Sequence, residues 1–348
     1  MKLEEALNII KPADETAMNQ CRARWDSIAK PLHSLGRLED GIVQIAGIAG
    51  THEVNLDKKA LVIMCADNGV VEEGVTQSGS EITAIVSENF LELNSCACIM
   101  ARTNGVDVFP IDIGIMRDTR VPSKKIAYGT KNMRREPAMT RDEAVLAIEV
   151  GIETAFELKE KGYRIIATGE MGIGNTTTSS AISSVLLDLP VETVTGKGAG
   201  LSKKGLERKI TVIRESIARH QPDREDPIDV LSKVGGFDIA GLAGVFIGGA
   251  AAGIPVVMDG FISTVAALVA MRIEPKVAEY AIASHVSNEA AGRLLLDSVG
   301  AKPFITCEMC LGEGTGAVAV FPLLDMALAV YRQMSTFEQN DIEAYKPL

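Results

Sequence analysis

An α/β protein built on a parallel sheet is what this sequence predicts, on three observations. Four short runs, ALVIMCAD, GVDVFPIDIG, YRIIATGE and GIPVVMDG, are apolar without alternation, as strands buried on both faces are. Helical patterns such as ITAIVSENFLELNSCACIMAR and RDEAVLAIEVGIETAFELKEKG lie between them, giving the strand, helix, strand order of a parallel sheet. Each strand run also ends in a polar group where a loop begins. A fifth run, EYAIASHV, is the weakest strand candidate.

Along the chain, residues 1–50 contain only helix-like segments, including AMNQCRARWDSIAK and RLEDGIVQIAGIAG. Ile239 to Met258 runs twenty residues without a charge, the length of a bilayer span, but five glycines and Pro255 interrupt it. It reads as a packed helix ending near Gly253 and followed by the buried strand IPVVM, so no membrane span is expected. Ser123 to Pro137, rich in Lys and Arg, reads as a solvated loop. From Thr315 onward the chain reads as one long apolar helix carrying Pro322, then a polar tail. The expected division is a large domain, 51–314, carrying the site, and a small helical domain formed by 1–50 and 315–348.

With 348 residues, 47% hydrophobic and 23% charged, the chain can bury a large core. Thirty-five basic against forty-six acidic residues give a formal charge of −11, which opposes affinity for nucleic acid or an anionic membrane. Any anionic substrate must be held by local groups. The acidic start MKLEEALNII lacks a basic region and cleavage site, and with six cysteines it points to a reducing, cytoplasmic setting. Cys307 and Cys310 have C-x-x-C spacing, but no matching second pair exists and His33, His52, His220 and His285 are scattered. Buried free thiols are expected there, and no metal or cofactor.

The polar strand ends are Asp67, Asp112, Glu170, Asp259 and His285. Ligands in open parallel sheets bind outside the carboxyl ends of the strands, so these five side chains are expected to face one crevice. After the third strand, GEMGIGNTTTSSAI places Gly172, Gly174, Asn175 and three threonines before a helix, whose first free N–H groups form an anion site. The spacing is neither a P-loop nor G-x-G-x-x-G. A second glycine loop, TGKGAGLSKKGLERK, carries Gly198 and leads to Lys209, which can add an ammonium to the same phosphate. VGGFDIAGLAG reads as close packing, with Asp238 its one titratable group. EEGVTQSGSEIT is small and polar, and can line a pocket for an uncharged ring with Ser78 as contact. Finally, LGEGTGAVAV sets Glu313 between two glycines before a helix, whose dipole favours a carboxylate by about 0.3 to 1 kcal/mol.

In order, KPLHSLGRLE, CADNGVVEEGV, TGEMGIGNTT, TGKGAGL, DVLSKVGGFDIAGLAG, MDGFIST, SHVSNE and LGEGTGA closely resemble the nicotinate-nucleotide:dimethylbenzimidazole phosphoribosyltransferase family, from Lys30 to the last motif. The resemblance implies a pentosyltransferase of cobalamin nucleotide-loop assembly, which moves ribose phosphate from nicotinate mononucleotide onto a base to give an α-ribazole phosphate and nicotinate. It implies a Rossmann-like sheet with a small helical domain from both termini, assembled as a homodimer. It makes Glu313 the general base. Glu170, Gly172, Gly174, Asn175, Gly198, Lys209, Ser78, Asp259, Ser287 and Leu311 become substrate-binding. Such a base, taking the proton of the attacking ring in the transition state, is worth about 10² to 10⁴ in rate.

Four departures touch the choice of base: Val86 stands where better-known members have glutamine, Gly79 where they have proline, Leu32 and His33 alter KPPGSLG, and Asn68 replaces histidine in ADHG. They imply a more apolar pocket, open to another benzimidazole, a purine or a phenol. Two other functions stay open at this point: a subunit of a heteromeric transferase, or a non-catalytic nucleotide-binding partner. A nicotinamide-dependent dehydrogenase is disfavoured by the missing fingerprint.

Overall fold

The computed structural model describes residues 1–345; the end of the expected C-terminal segment, 346–348, lies outside the described residues. Three helices open the chain: α1 (Leu3–Ile9), α2 (Glu15–Ser27) and α3 (Arg37–Ala49). Strand β1 (Lys59–Ala66) leads to α4 (Glu81–Leu91) and α5 (Cys96–Thr103), β2 (Val106–Gly114) to α6 (Arg141–Glu160), and β3 (Ile165–Met171) to α7 (Asn175–Leu187). Four helices follow: α8 (Val191–Val194), α9 (Lys203–His220), α10 (Pro227–Val234) and α11 (Phe237–Ala252). The chain then runs through β4 (Val256–Met258), α12 (Phe261–Ile273), β5 (Ala281–Ala283), α13 (Gly292–Ser298) and α14 (Thr315–Gln333).

All five expected strands form, and they pair in parallel in the order β2-β1-β3-β4-β5. Successive side chains of a strand point to opposite faces, which divides the core in two. Ala60, Val62 and Met64 of β1 pack with α6, α11 and α12, whereas Leu61, Ile63 and Cys65 pack with α3, α5 and α14. Helices α6 and α11 approach closely at Gly151 and Gly244, where any side chain would run into the facing backbone. The uncharged stretch is therefore a buried helix, closed by Gly253 in the left-handed conformation, and then β4.

Two expectations change. The single helical pattern before β2 splits into α4 and α5, because Leu93 is left-handed (φ 53°) and Ser95 restarts a helix by accepting the Cys98 amide at 3.2 Å. The Ser123–Pro137 loop is not merely solvated: Thr130, Asn132 and Met133 are buried, and Lys125 reaches Asp112 at 3.2 Å. At the termini, α2 and α3 pack together and against α14, with the Trp25 and Tyr331 rings 5.1 Å apart. Helix α14 is long and apolar enough to span a membrane, yet Val318, Val320, Phe321 and Leu324 are buried in the core it shares with β1. The motif around Lys30 is structural here, since Lys30 pairs with Glu39 at 2.7 Å with both side chains buried.

Candidate active site

A cleft of ≈ 340 Å³ opens at the carboxyl ends of β3, β4 and β5. Glu170 reaches it from β3, Asp259 from the end of β4 and His285 from the end of β5. Asp67 and Asp112 do not join them, contrary to expectation. Asp67 accepts the Met116 amide at 2.8 Å, and Asp112 accepts the Gly114 and Ile115 amides at 3.1 and 2.8 Å. Both lie on β1 and β2, toward one side of the sheet, where their carboxylates shape the turn after β2.

One wall is the turn from β3 into α7. Gly172, Gly174, Asn175 and Thr176 line it, and Gly174 caps α7 with φ 95°, a conformation only glycine takes at little cost. Gly198 lies beside Thr176 of that wall, and Ser78 stands exposed on a loop tied to the second glycine loop by Gln77 donating to the Gly200 carbonyl. Ser287 is buried at the far wall and Leu311 is exposed at the rim. Lys209 does not line the cleft; it sits behind the wall, its ammonium donating to Thr176 Oγ1 at 2.8 Å and the Gly196 carbonyl at 3.3 Å. Burial lowers its pKa to about 8, with Glu289 opposing the shift.

Glu313 occupies the centre of three consecutive left-handed residues, with φ 88° at Gly312, 61° at Glu313 and 88° at Gly314. A non-glycine residue held there is backbone strain that the surroundings must maintain. Two features do so. Gly169 lets the Glu313 peptide lie against β3, since a Cβ there would stand 2.5 Å from the Glu313 carbonyl oxygen. Asp259, in turn, accepts the amides of Gly314, Gly316 and Ala317 at 3.2, 2.6 and 3.1 Å. Glu313 Oε2 is buried without a hydrogen-bond partner.

The electrostatics of Glu313 differ from the sequence expectation. The first amides of α14 are taken by Asp259, so that helix does not hold Glu313 ionised. Burial pushes its pKa up, and the Ala97 amide and Ser95 hydroxyl at the start of α5 pull it back. A carboxyl raised in this way is a stronger base than an exposed one. Burial likewise raises Glu170 well above the usual range, with Asp238 and Asp259 adding to it.

Sequence reasoning missed Asp238 as more than packing. It is buried, accepts the Asn175 side-chain amide at 3.1 Å, and is pushed up to about 7 by burial. The signal was a lone acid opening an otherwise uncharged apolar stretch. Glu289 and Ser95 were also missed, and no motif marks either. Val86 packs partly buried against the core and does not line the cleft. Cys307 and Cys310 are exposed, not buried as expected, because they lie on the irregular segment before Glu313; Cys310 lines the cleft. Among the described residues no group of three His, Cys, Asp or Glu is arranged to hold a metal ion.

This arrangement provides a partly desolvated carboxylate beside a glycine-rich helix start, with a masked ammonium behind it. That combination suits proton removal from a ligand lying next to a bound anion. A family model described as Phosphoribosyltransferase matches residues 10–342. The nicotinate-nucleotide–dimethylbenzimidazole phosphoribosyltransferase of Acetivibrio thermocellus is 49% identical over 99% of both chains, and that of Clostridium acetobutylicum 47% identical over 100% of both. The crystal structure of CobT from Thermus thermophilus superposes with a TM-score of 0.89 at 35% identity, covering 95% of this chain and 100% of that one. Matched by that model over residues 10–342 and 47 to 49% identical to these relatives along nearly the whole chain, the chain belongs to the phosphoribosyltransferase family.

Proposed function

We propose that this chain transfers ribose phosphate from nicotinate mononucleotide to 5,6-dimethylbenzimidazole or a related lower-ligand base, yielding an α-ribazole phosphate and nicotinate for cobalamin biosynthesis. The names of its relatives support the substrates. The observation that carries the chemistry is Glu313, a residue with a partnerless buried carboxylate oxygen that belongs to the lining of the same cleft as the glycine-rich start of α7.

One ring nitrogen of the base attacks C1 of the ribose and forms the new C–N bond. The bond to nicotinate breaks and its electron pair neutralises the cationic pyridine nitrogen. Glu313 takes the proton from the other nitrogen of the base. The phosphate lies against the α7 start and Gly198, with Lys209 contributing its charge through Thr176. An anionic substrate in an acid-lined cleft requires those acids to be masked. Asp259 is covered by α14 amides, and Glu289 faces Lys209.

Purified protein is mixed with nicotinate mononucleotide and, in competition, dimethylbenzimidazole, adenine and phenol, and released nicotinate and ribosylated product are read by mass spectrometry. The reading requires release with at least one base. Glu313→Gln lowers kcat by about 10² to 10⁴ and leaves nucleotide affinity within a fewfold; undiminished turnover removes the base role.

The reading also includes a cytoplasmic homodimer, supported by six unpaired cysteines and by the family; sedimentation at assay concentration tests the dimer. It further treats 1–50 and 315–348 as a small helical domain beside 51–314. Support comes from the bridge of Ile28 to Thr336 and the Trp25–Tyr331 contact, and joint protection of the two segments in hydrogen exchange tests it.

A further inference from the structure

The three buried acids around the cleft are not equivalent. Asp259 accepts three backbone amides, whereas Glu170 and Asp238 divide one side-chain amide between them. The Asn175 side-chain amide donates to Glu170 Oε2 at 2.5 Å and to Asp238 Oδ2 at 3.1 Å, and the Ile239 amide donates to Asp238 Oδ1 at 3.0 Å. Asn68 Oδ1 is buried without a donor, and a Cβ on Gly236 would lie 2.5 Å from both it and Asp238 Oδ1. Asn68 Oδ1 thus stays without a donor beside two buried carboxylates that divide one side-chain amide between them. An ionised carboxylate offers only lone pairs, so the shortage of donors calls for a carboxyl proton within the cluster.

The place of that proton follows from the surroundings. Glu170 faces Asp238 on α11, Asp259 after β4, Glu313 before α14 and the Cys65 thiol on β1. Asp67 stands beyond Asp238, His285 beside Asp259, and the nearby cation Lys209 is turned to Thr176, Gly196 and Glu289. Like charges at such a site leave one acid protonated. Glu170 Oε2 is bound by Asn175, and Oε1 sits against Gly312 at the cleft wall.

We infer that Asp238, acting through Asn175, is a positioning residue that holds Glu170 as a neutral carboxylic acid whose O–H is presented to an oxygen of the bound nucleotide. The inference rests on the transferase reading for the identity of the ligand. It gives the two cleft glutamates opposite tasks: Glu313 accepts a proton and Glu170 donates a hydrogen bond. It also removes a charge that would repel an anionic substrate.

Protein labelled with ¹³C-glutamate is titrated in the infrared without substrate. A protonated-carboxyl band at pH 7 that disappears in Glu170→Gln is expected; its absence from the wild type overturns the inference whatever the transferase assay shows. In Asp238→Asn the band titrates lower by about one pH unit or more, and the alkaline limb of kcat/KM moves with it. A folded Asp238→Asn variant with both titrations unchanged refutes the positioning role. Should that variant not fold, Asn175→Ser serves in its place, with the band expected to titrate higher because the N–H that favours ionised Glu170 is gone, and an unmoved band refuting the cluster's hold on Glu170. Loss of nicotinate release with the band intact sinks the transferase reading alone.

Discussion

Gly169→Ala should disable the enzyme without touching any titratable group. Residue 169 lies inside β3, paired with Ile63, and its backbone is not left-handed, so alanine meets no conformational penalty there. The new Cβ would stand 2.5 Å from the Glu313 carbonyl oxygen and 2.8 Å from the Gly314 nitrogen, where ordinary contact begins at 3.4 Å. The nearer contact falls short by 0.9 Å, and both atoms are backbone, so no rotamer relieves it. The Glu313–Gly314 peptide must move by a comparable distance, against the hold of Asp259 on the Gly314 amide. Overpacking of this kind costs about 1 to 3 kcal/mol. Misplacing a catalytic group by about 1 Å costs about 10² in rate. Steady-state nicotinate release should therefore show kcat lowered by about a hundredfold, while calorimetry finds nucleotide affinity within a fewfold and denaturation reports a modest loss of stability. An alanine variant turning over within twofold of the wild type would mean that Glu313 is not positioned by this contact.

Lys209 has a pKa of about 8 when free and regains its proton beside a bound phosphate, so nucleotide binding just above pH 8 should take up a proton. Calorimetry in buffers of different ionisation enthalpy measures that uptake, and Lys209→Met should abolish it; equal heats across buffers would place the phosphate elsewhere. In the free protein the same lysine is neutral between about 8 and 10.5 while the unfolded chain keeps the proton, so its contribution to stability rises with pH across that window. Asp259→Asn weakens three amide contacts at the start of α14 and should cost about 1.5 to 3 kcal/mol, seen as a lower denaturant midpoint at unchanged slope. An unshifted midpoint would show that α14 is capped some other way. Lys30→Met leaves Glu39 buried and unpaired and should cost about 3 to 5 kcal/mol, most of it recovered when Glu39→Leu is added. No recovery in the double variant would mean that the lysine acts through Trp25, 5.3 Å from its ammonium, and not through the pair.

Local chemistry explains what the linear sequence determined. Strands buried on both faces must be continuously apolar, so β1 to β5 were legible even where β5 is only three residues long. Glycines around Gly174 and Glu313 were legible because left-handed backbone and close approach leave that mark on the residue itself. Partnership across the chain leaves no such mark. That Asp259 caps a helix 55 residues away, that Asp67 and Asp112 turn from the cleft, and that Lys209 stands behind Thr176 depend on which strand neighbours which. The Glu170–Asn175–Asp238 cluster is of the same kind. Its members come from three elements, β3, α7 and α11, with Asn175 and Asp238 63 positions apart, and only packing α11 against β3 deprives them of water and makes their proton count matter.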